Sequence, residues 1–397
     1  MPTTGEAEEG TGEGLFRGRL GGGMGSILFR PLRRCKVVGM RRPLPDILRI
    51  DWPSTAVEPP RAAEDAVARA VEVLRQGGLV AIPTETVYGL AANALDEEAV
   101  AGIFRAKGRP ASNPLIVHVA DIAMARSLAA AWPATADAVA TRFWPGPVTV
   151  VVPRGPRVPD IVTAGGSTVA LRCPDHPLAR RLIAEAGMPL AAPSANRSEA
   201  VSPTTAHHVL AGLGNRIDLI LDGGPCRRGI ESTVVDCTVS PPRILRPGPL
   251  SRDDLEAAVG GPVEWPADAA GDSGDSGDSG EPARSPGGQA RHYAPKTPLE
   301  MPAEPARRVA QLVAEGRRIG WLTSRTDDPQ VRALAGSRNL VIVPMPESPD
   351  EFACRIYAML HGLDQRGLDR IVVDPPPDTE PWRAVRDRLV RAARVPE

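Results

Sequence analysis

A chain of 397 residues with a formal net charge of −1 and 4% aromatic residues has room for two domains with sizeable cores and carries no global field to draw it onto nucleic acid or a membrane. No apolar run approaches the ~20 residues of a membrane helix, and the acidic, glycine-rich start MPTTGEAEEGTGEG is unlike a secretory signal. Five scattered cysteines without C-x-x-C spacing argue against a zinc site or a disulfide framework and lead us to expect a reducing cytoplasm.

Residues 1–57 are rich in Gly, Pro and Arg, lack a sustained period, and read as a disordered extension. RAAEDAVARAVEVLRQ (61–76) is an alanine-rich helix pattern stopped by Gly77-Gly78. LVAI (79–82) reads as a buried strand leading into the loop PTETVYGL. A helix is expected near 96–107, a strand at LIVHV (115–119), and helices near 121–131 and 134–143. VTVVV (148–152) and TVALR (168–172) read as strands, with a helix near 176–187 after the second. PLAAPSAN (189–196) reads as a strand running into a loop. A helix near 203–211, strands at 218–222, 232–236 and 243–246, and a short helix near 251–259 complete a first domain spanning 58–260.

The repeat GDSGDSGDSG cannot bury a core, so 261–297 reads as a flexible linker that ends in the richer segment RHYAP (291–295). Residues 298–397 alternate helices (near 303–315, 349–366 and 380–394) with apolar strands (318–323, 339–345 and 370–375). That alternation predicts an α/β domain with a parallel sheet. It lacks a phosphate-binding glycine fingerprint, so a structural or interaction role is expected of it.

Seven polar clusters each adjoin an apolar strand. PTETVYG (83–89) is either a ligand loop at a strand end or a polar turn in which Thr84 and Thr86 bond their own backbone. KGRPASNPLIVHV puts Lys107, Arg109 and Asn113 before a strand that holds His118. Two cations with an amide suit a polyphosphate, whereas a solvated helix end and a satisfied core histidine are the plain alternatives. Of 47 basic residues only three are lysines, Lys36, Lys107 and Lys296. A lysine kept in so arginine-rich a chain points to a need for a compact point charge. WPGPVT (144–149) would fix Thr149 after a rigid bend, or is simply a turn. Arg172 ends a strand, where its fork would hold a carboxylate or form a surface ion pair. APSANRS supplies Ser194 and Asn196, ESTVVD supplies Ser232, and LRPG supplies Arg246. No nucleophile–base arrangement accompanies them, so the expected chemistry rests on positioning and charge stabilisation, as in adenylyl or phosphoryl transfer.

PTETVYGLAANA, KGRPASNPLIVHV, FWPGPVT, VALRCP, APSANRS, ESTVVD and LRPG occur in order, and their order and spacing resemble the YrdC-like L-threonylcarbamoyladenylate synthases. RHYAP and the final domain resemble the longer, two-domain form. The resemblance implies a twisted open α/β sheet with a concave cavity, followed by a smaller Rossmann-like domain. It implies synthesis of threonylcarbamoyl-AMP and pyrophosphate from L-threonine, bicarbonate and ATP, with Mg2+ on the phosphates. The product would pass to a separate transferase system that modifies tRNA beside the anticodon. By the same resemblance Thr84, His118, Arg172 and Ser232 would hold threonine. Lys107, Arg109, Asn113, Thr149, Ser194, Asn196 and Arg246 would hold ATP, and Lys107, Arg109, Ser194 and Asn196 form the family's K-x-R and S-x-N set. We expect Tyr293 to cover the nucleotide cavity, the alternative being that it packs on the last domain. Weak RNA binding is a competing expectation, and a hydrogenase-maturation carbamoyl-transfer subunit would need zinc modules that this chain lacks.

Overall fold

The computed structural model of the chain describes residues 43–52, 59–265 and 291–394. Its first sheet has ten strands: β1 (Asp46–Arg49), β2 (Val80–Ile82), β3 (Gly89–Asn93), β4 (Ile116–His118), β5 (Val148–Pro153), β6 (Thr168–Arg172), β7 (Leu190–Ala191), β8 (Leu219–Asp222), β9 (Thr233–Asp236) and β10 (Arg243–Arg246). Their order across the sheet is β1-β8-β2-β3-β7-β4-β6-β5-β9-β10, with parallel and antiparallel pairs mixed. The helices are α1 (Arg61–Arg75), α2 (Glu97–Lys107), α3 (Ile122–Arg126), α4 (Ala134–Phe143), α5 (Asp160–Thr163), α6 (Pro177–Ala186), α7 (Ala206–Leu213) and α8 (Arg252–Val259).

Strand alternation sends neighbouring residues to opposite faces. Val80 and Ile82 join the core under α1 and α6, while Ala81 joins the core on the other face, with α2, α4, α7 and α8. Helix α1 buries Ala63, Ala66, Val67, Ala70, Val71 and Leu74, the three- and four-residue spacing of one apolar stripe. Toward β4, β6, β5 and β9, one face carries only a small cluster, Ile116, Ala170, Val151 and Val234, with Leu245 beside it. This leaves a concavity.

The second domain is a four-stranded parallel sheet in the order β11-β14-β12-β13, made of β11 (Leu299–Glu300), β12 (Ile319–Thr323), β13 (Leu340–Pro344) and β14 (Arg370–Val373). Helices α9 (Pro305–Ala314), α10 (Pro329–Leu334), α11 (Pro349–Asp364) and α12 (Arg383–Ala393) accompany it. Among the described residues no helix is long and apolar enough to cross a membrane.

Two expectations change. The stretch 1–57, read as a disordered extension, contains β1, which pairs in parallel with β8 along its whole length, and Ile50 beyond it is buried. Four residues are too few to show a period, and the strand forms because β8 offers it a free edge. The linker expected over 261–297 is structured at both ends. Val263 is buried and Glu264 bridges to Arg243, while at the other end Ala294 bridges to Ala200. The GDS repeat lies outside the described residues.

Candidate active site

The alternation that builds the sheet also builds the site. Ile116 and His118 face the same way on β4, as do Ala170 and Arg172 on β6, and the register sets Ile116 against Ala170 and His118 against Arg172. Thr149 of β5 and Arg246 of β10 both lie opposite Val234. Polar residues from four strands therefore project at one end of the concave face, with the small apolar cluster as its floor.

Helix α2 delivers the K-x-R pair. Asp96 caps its start by accepting from the backbone of Glu98 and Ala99. It ends at Gly108, whose left-handed φ of 63° closes the helix and turns Arg109 back, so that the Arg109 amide also bonds Phe104 O at 3.1 Å. Lys107 thus ends the helix and Arg109 begins the loop. Both are buried. Lys107 Nζ donates to Ser194 O at 2.5 Å and to Asn196 O at 2.6 Å, which ties the K-x-R and S-x-N segments together across 87 residues of sequence. Arg109 donates to the carbonyls of Asn113 and Pro114 at 3.3 and 3.0 Å. Neither cation has a carboxylate partner among these bonds. Burial, with Arg109 adding repulsion, holds Lys107 well below the usual lysine value, and burial brings Arg109 down to about 10.

Arg172 is buried rather than part of a surface ion pair. It forms a buried ion pair with Glu85 at 2.7 Å and donates to Gly146 O at 3.4 Å. Glu85 also accepts from the Asp175 amide at 3.0 Å, so the loop after β2 orients the arginine. Thr84 folds its hydroxyl back onto Val87 O. Thr149 and Ser232 share a hydrogen bond of 2.8 Å, and Arg246 donates to Ser232 O at 3.0 Å and to its hydroxyl at 3.1 Å. The LRPG turn presses close at Gly248, where a Cβ would meet Thr233 N at 2.2 Å.

Thr84, Arg109, His118, Arg172, Ser194, Arg246 and Tyr293 line one cavity, together with Glu231 and His292. Lys107, Asn113, Thr149, Asn196 and Ser232 are absent from its wall and adjoin it through the bonds just described. Four buried polar atoms here lack a hydrogen-bond partner: Asn113 Nδ2, His118 Nδ1, His292 Nδ1 and Tyr293 Oη. Buried polar atoms are rarely left so, and their convergence marks a place for a polar ligand. His118 thus keeps one ring nitrogen, Nδ1, unbonded, and burial with Arg172 nearby lowers it to about 3, so it is neutral.

Tyr293 touches both the cavity and the last domain. It walls the cavity, and it also stacks on Tyr357 of α11 at 5.9 Å. Its φ of 60° is left-handed, a strained backbone for a bulky residue. Arg291 holds the segment through Glu199 and Arg394 O. With the segment so seated the cavity measures about 50 Å3. A larger cavity of about 510 Å3 lies between the domains, but none of the candidate residues lines it.

Sequence reading missed the partners. Glu85 and Glu231 stood inside PTETVYG and ESTVVD, and an acid amid anion-binding residues was the available signal. Nothing in the sequence marked Tyr357 or Arg388.

Residues 72–248 match the family model described as telomere recombination, named for Sua5, YciO and YrdC. Residues 250–394 match the model described as the threonylcarbamoyl-AMP synthase C-terminal domain. Threonylcarbamoyl-AMP synthase of Pyrococcus abyssi is 40% identical over 341 residues, covering 84% of this chain and 95% of the relative. That of Bacillus subtilis is 41% identical over 332 residues, covering 82% and 92%. The crystal structure of P. abyssi Sua5 complexed with L-threonine superposes with a TM-score of 0.75 at 38% identity, covering 88% of this chain and 97% of that one. Ordered motifs, a mixed sheet whose polar end gathers them, and a matching second domain lead to one conclusion: this chain belongs to the threonylcarbamoyl-AMP synthase family, in its two-domain form.

Proposed function

We propose that this enzyme is a nucleotidyltransferase whose cavity beside Arg109 and Arg172 holds L-threonine and MgATP together. The observation that carries the reading is the pair Lys107 and Arg109, two buried cations spent on carbonyls rather than carboxylates. A buried charge without a counter-charge is costly, and an anionic ligand removes that cost. Threonine sits against Thr84, His118, Arg172 and Ser232, its carboxylate on the Arg172 guanidinium that Glu85 orients. The nucleotide is held by Lys107, Arg109, Asn113, Thr149, Ser194, Asn196 and Arg246. Magnesium arrives on the triphosphate. Among the described residues no cluster of three or more acidic, histidine or cysteine side chains could hold it, so the nucleotide's phosphate oxygens would carry it and it would offset their charge.

The chemistry balances without a protein nucleophile. The threonine amine and bicarbonate give a carbamate and water. A carbamate oxygen then attacks the α-phosphorus, and the bond to the β-phosphate oxygen breaks to release pyrophosphate. Two anions must approach, and the cations offset both their repulsion and the charge gathering on the leaving group. Segment 291–294 acts as a lid. A cavity of about 50 Å3 falls far short of the ~300 Å3 or more of small-molecule sites, so Tyr293 withdraws for ATP to enter and returns to exclude water from a labile product. The enzyme works in the cytoplasm and hands threonylcarbamoyl-AMP to a separate tRNA-modifying transferase system.

The test is pyrophosphate release from ATP with and without threonine and bicarbonate. Release that requires both supports the reading, and equal release without any amino acid overturns it.

A further inference from the structure

Several side chains of the second domain reach into the first, and one of them is Arg388. Arg388 of α12 is 1% exposed, and its Nε donates to Glu231 at 2.9 Å. Glu231 lines the cavity and immediately precedes Ser232, to which Arg246 and Thr149 bond. Its carboxylate also accepts from Ser202 at 2.6 Å and from the Tyr357 hydroxyl of α11 at 3.1 Å. The Arg388 guanidinium lies over the Tyr293 ring, 5.2 Å from its centroid. A structural anchor between domains has no need to end on a carboxylate in the wall of an anion-binding cavity.

We propose that Arg388, assisted by Tyr357, is a positioning residue for the synthase reaction, through which the second domain neutralises Glu231 and so admits a polyphosphate beside Arg246. The inference rests on the reading of the cavity as the ATP site. Unpaired, the Glu231 carboxylate would repel the triphosphate in a region of low dielectric. Paired, it accepts from three side chains, Arg388, Ser202 and Tyr357, and fixes the backbone that carries Ser232. Burial would push its carboxyl up. The guanidinium groups of Arg388 and Arg246, with the Ser202 hydroxyl, outweigh burial and hold it below the usual carboxylate range. Glu231 therefore stays an anion, and its compensation comes largely from a residue 157 positions away. This gives the second domain a task in the chemistry without any contact between it and substrate.

The test uses full-length variants, with KM and kcat read from threonine-dependent pyrophosphate release. Arg388→Leu is expected to raise KM for ATP about tenfold, within the range of ordinary intersite coupling, with a smaller change in kcat. Adding Glu231→Gln removes the stranded charge and is expected to bring KM back to within about threefold of wild type. A purely structural bridge predicts the opposite, since the double variant has no ion pair and would be as poor as the single one. That result overturns the proposal, as does an unchanged KM in Arg388→Leu. If Arg388→Leu fails to fold, Tyr357→Phe decides. Removing one donor to Glu231 should raise KM for ATP by about threefold or more at unchanged Tm, and an unchanged KM overturns the proposal. A wild-type chain without threonine-dependent release sinks the functional reading and this inference with it, whereas an active wild type with the wrong variant pattern sinks this inference alone.

Discussion

Lys107→Arg separates geometry from charge. The lysine is 2% exposed, and its ammonium converges on Ser194 O and Asn196 O at 2.5 and 2.6 Å. A guanidinium is larger and planar, and its donors diverge where these carbonyls call for convergence. Forcing it into the slot costs ~1–3 kcal/mol of overpacking. Leaving one buried carbonyl unbonded costs a further ~1–3 kcal/mol. Some of that cost is relieved by shifting the 194–196 loop, which moves Ser194 in the cavity wall. Taking the lower end, a loss of about 1.4 kcal/mol of transition-state stabilisation already means tenfold in kcat/KM. We therefore expect Lys107→Arg to lose at least about tenfold in kcat/KM for ATP, measured by pyrophosphate release with threonine and bicarbonate saturating. Far-ultraviolet circular dichroism should confirm that the fold persists. A variant with wild-type kcat/KM would refute the reasoning, because charge alone would then suffice.

Tyr293→Ala should leave the first domain folded, lower product yield and speed hydrolysis of the adenylate in a product-decay assay. A long-lived product at full yield would reduce the segment to a tether. Serine should replace threonine poorly, because the missing methyl group is worth about 1–3 kcal/mol in an apolar pocket, and competition kinetics showing equal use would contradict this. Lys107 has its pKa lowered by burial and by Arg109, and a bound phosphate would raise it again. ATP binding between the lowered and restored values should thus take up protons, visible as a binding enthalpy that changes with buffer ionisation heat; proton release would carry the wrong sign. His118 and His292 are each lowered to about 3, mainly by burial, so the unfolded chain binds more protons below about 6.5. The stability that their neutral forms support is present above that value and lost as pH falls from it toward 3. The loss is on the order of 2 kcal/mol each by pH 5, and urea unfolding with equal midpoints at pH 7 and 5 would exclude it.

The sequence by itself determined what short-range physics controls. The helix read over 61–76 forms over Arg61–Arg75, and the strands read at 168–172 and 243–246 form at those residues, because apolar period and terminal glycines are written within one element. The convergence of polar clusters at strand ends was legible for the same reason, since alternate residues on a strand must share a face. Short elements were not legible. The strands β1 and β11, four and two residues long, carry no period and exist through the neighbours they pair with. β3 was hidden because PTETVYGL reads as one loop until β2 pairs with it. Only the tertiary structure decided where the charges go. Arg172 meets Glu85 across 87 positions and Arg388 meets Glu231 across 157. A carboxylate's partner is chosen by proximity after folding, and no local pattern encodes that distance. Chain connectivity made the clusters, but packing of the second domain gave Glu231 its counter-charge.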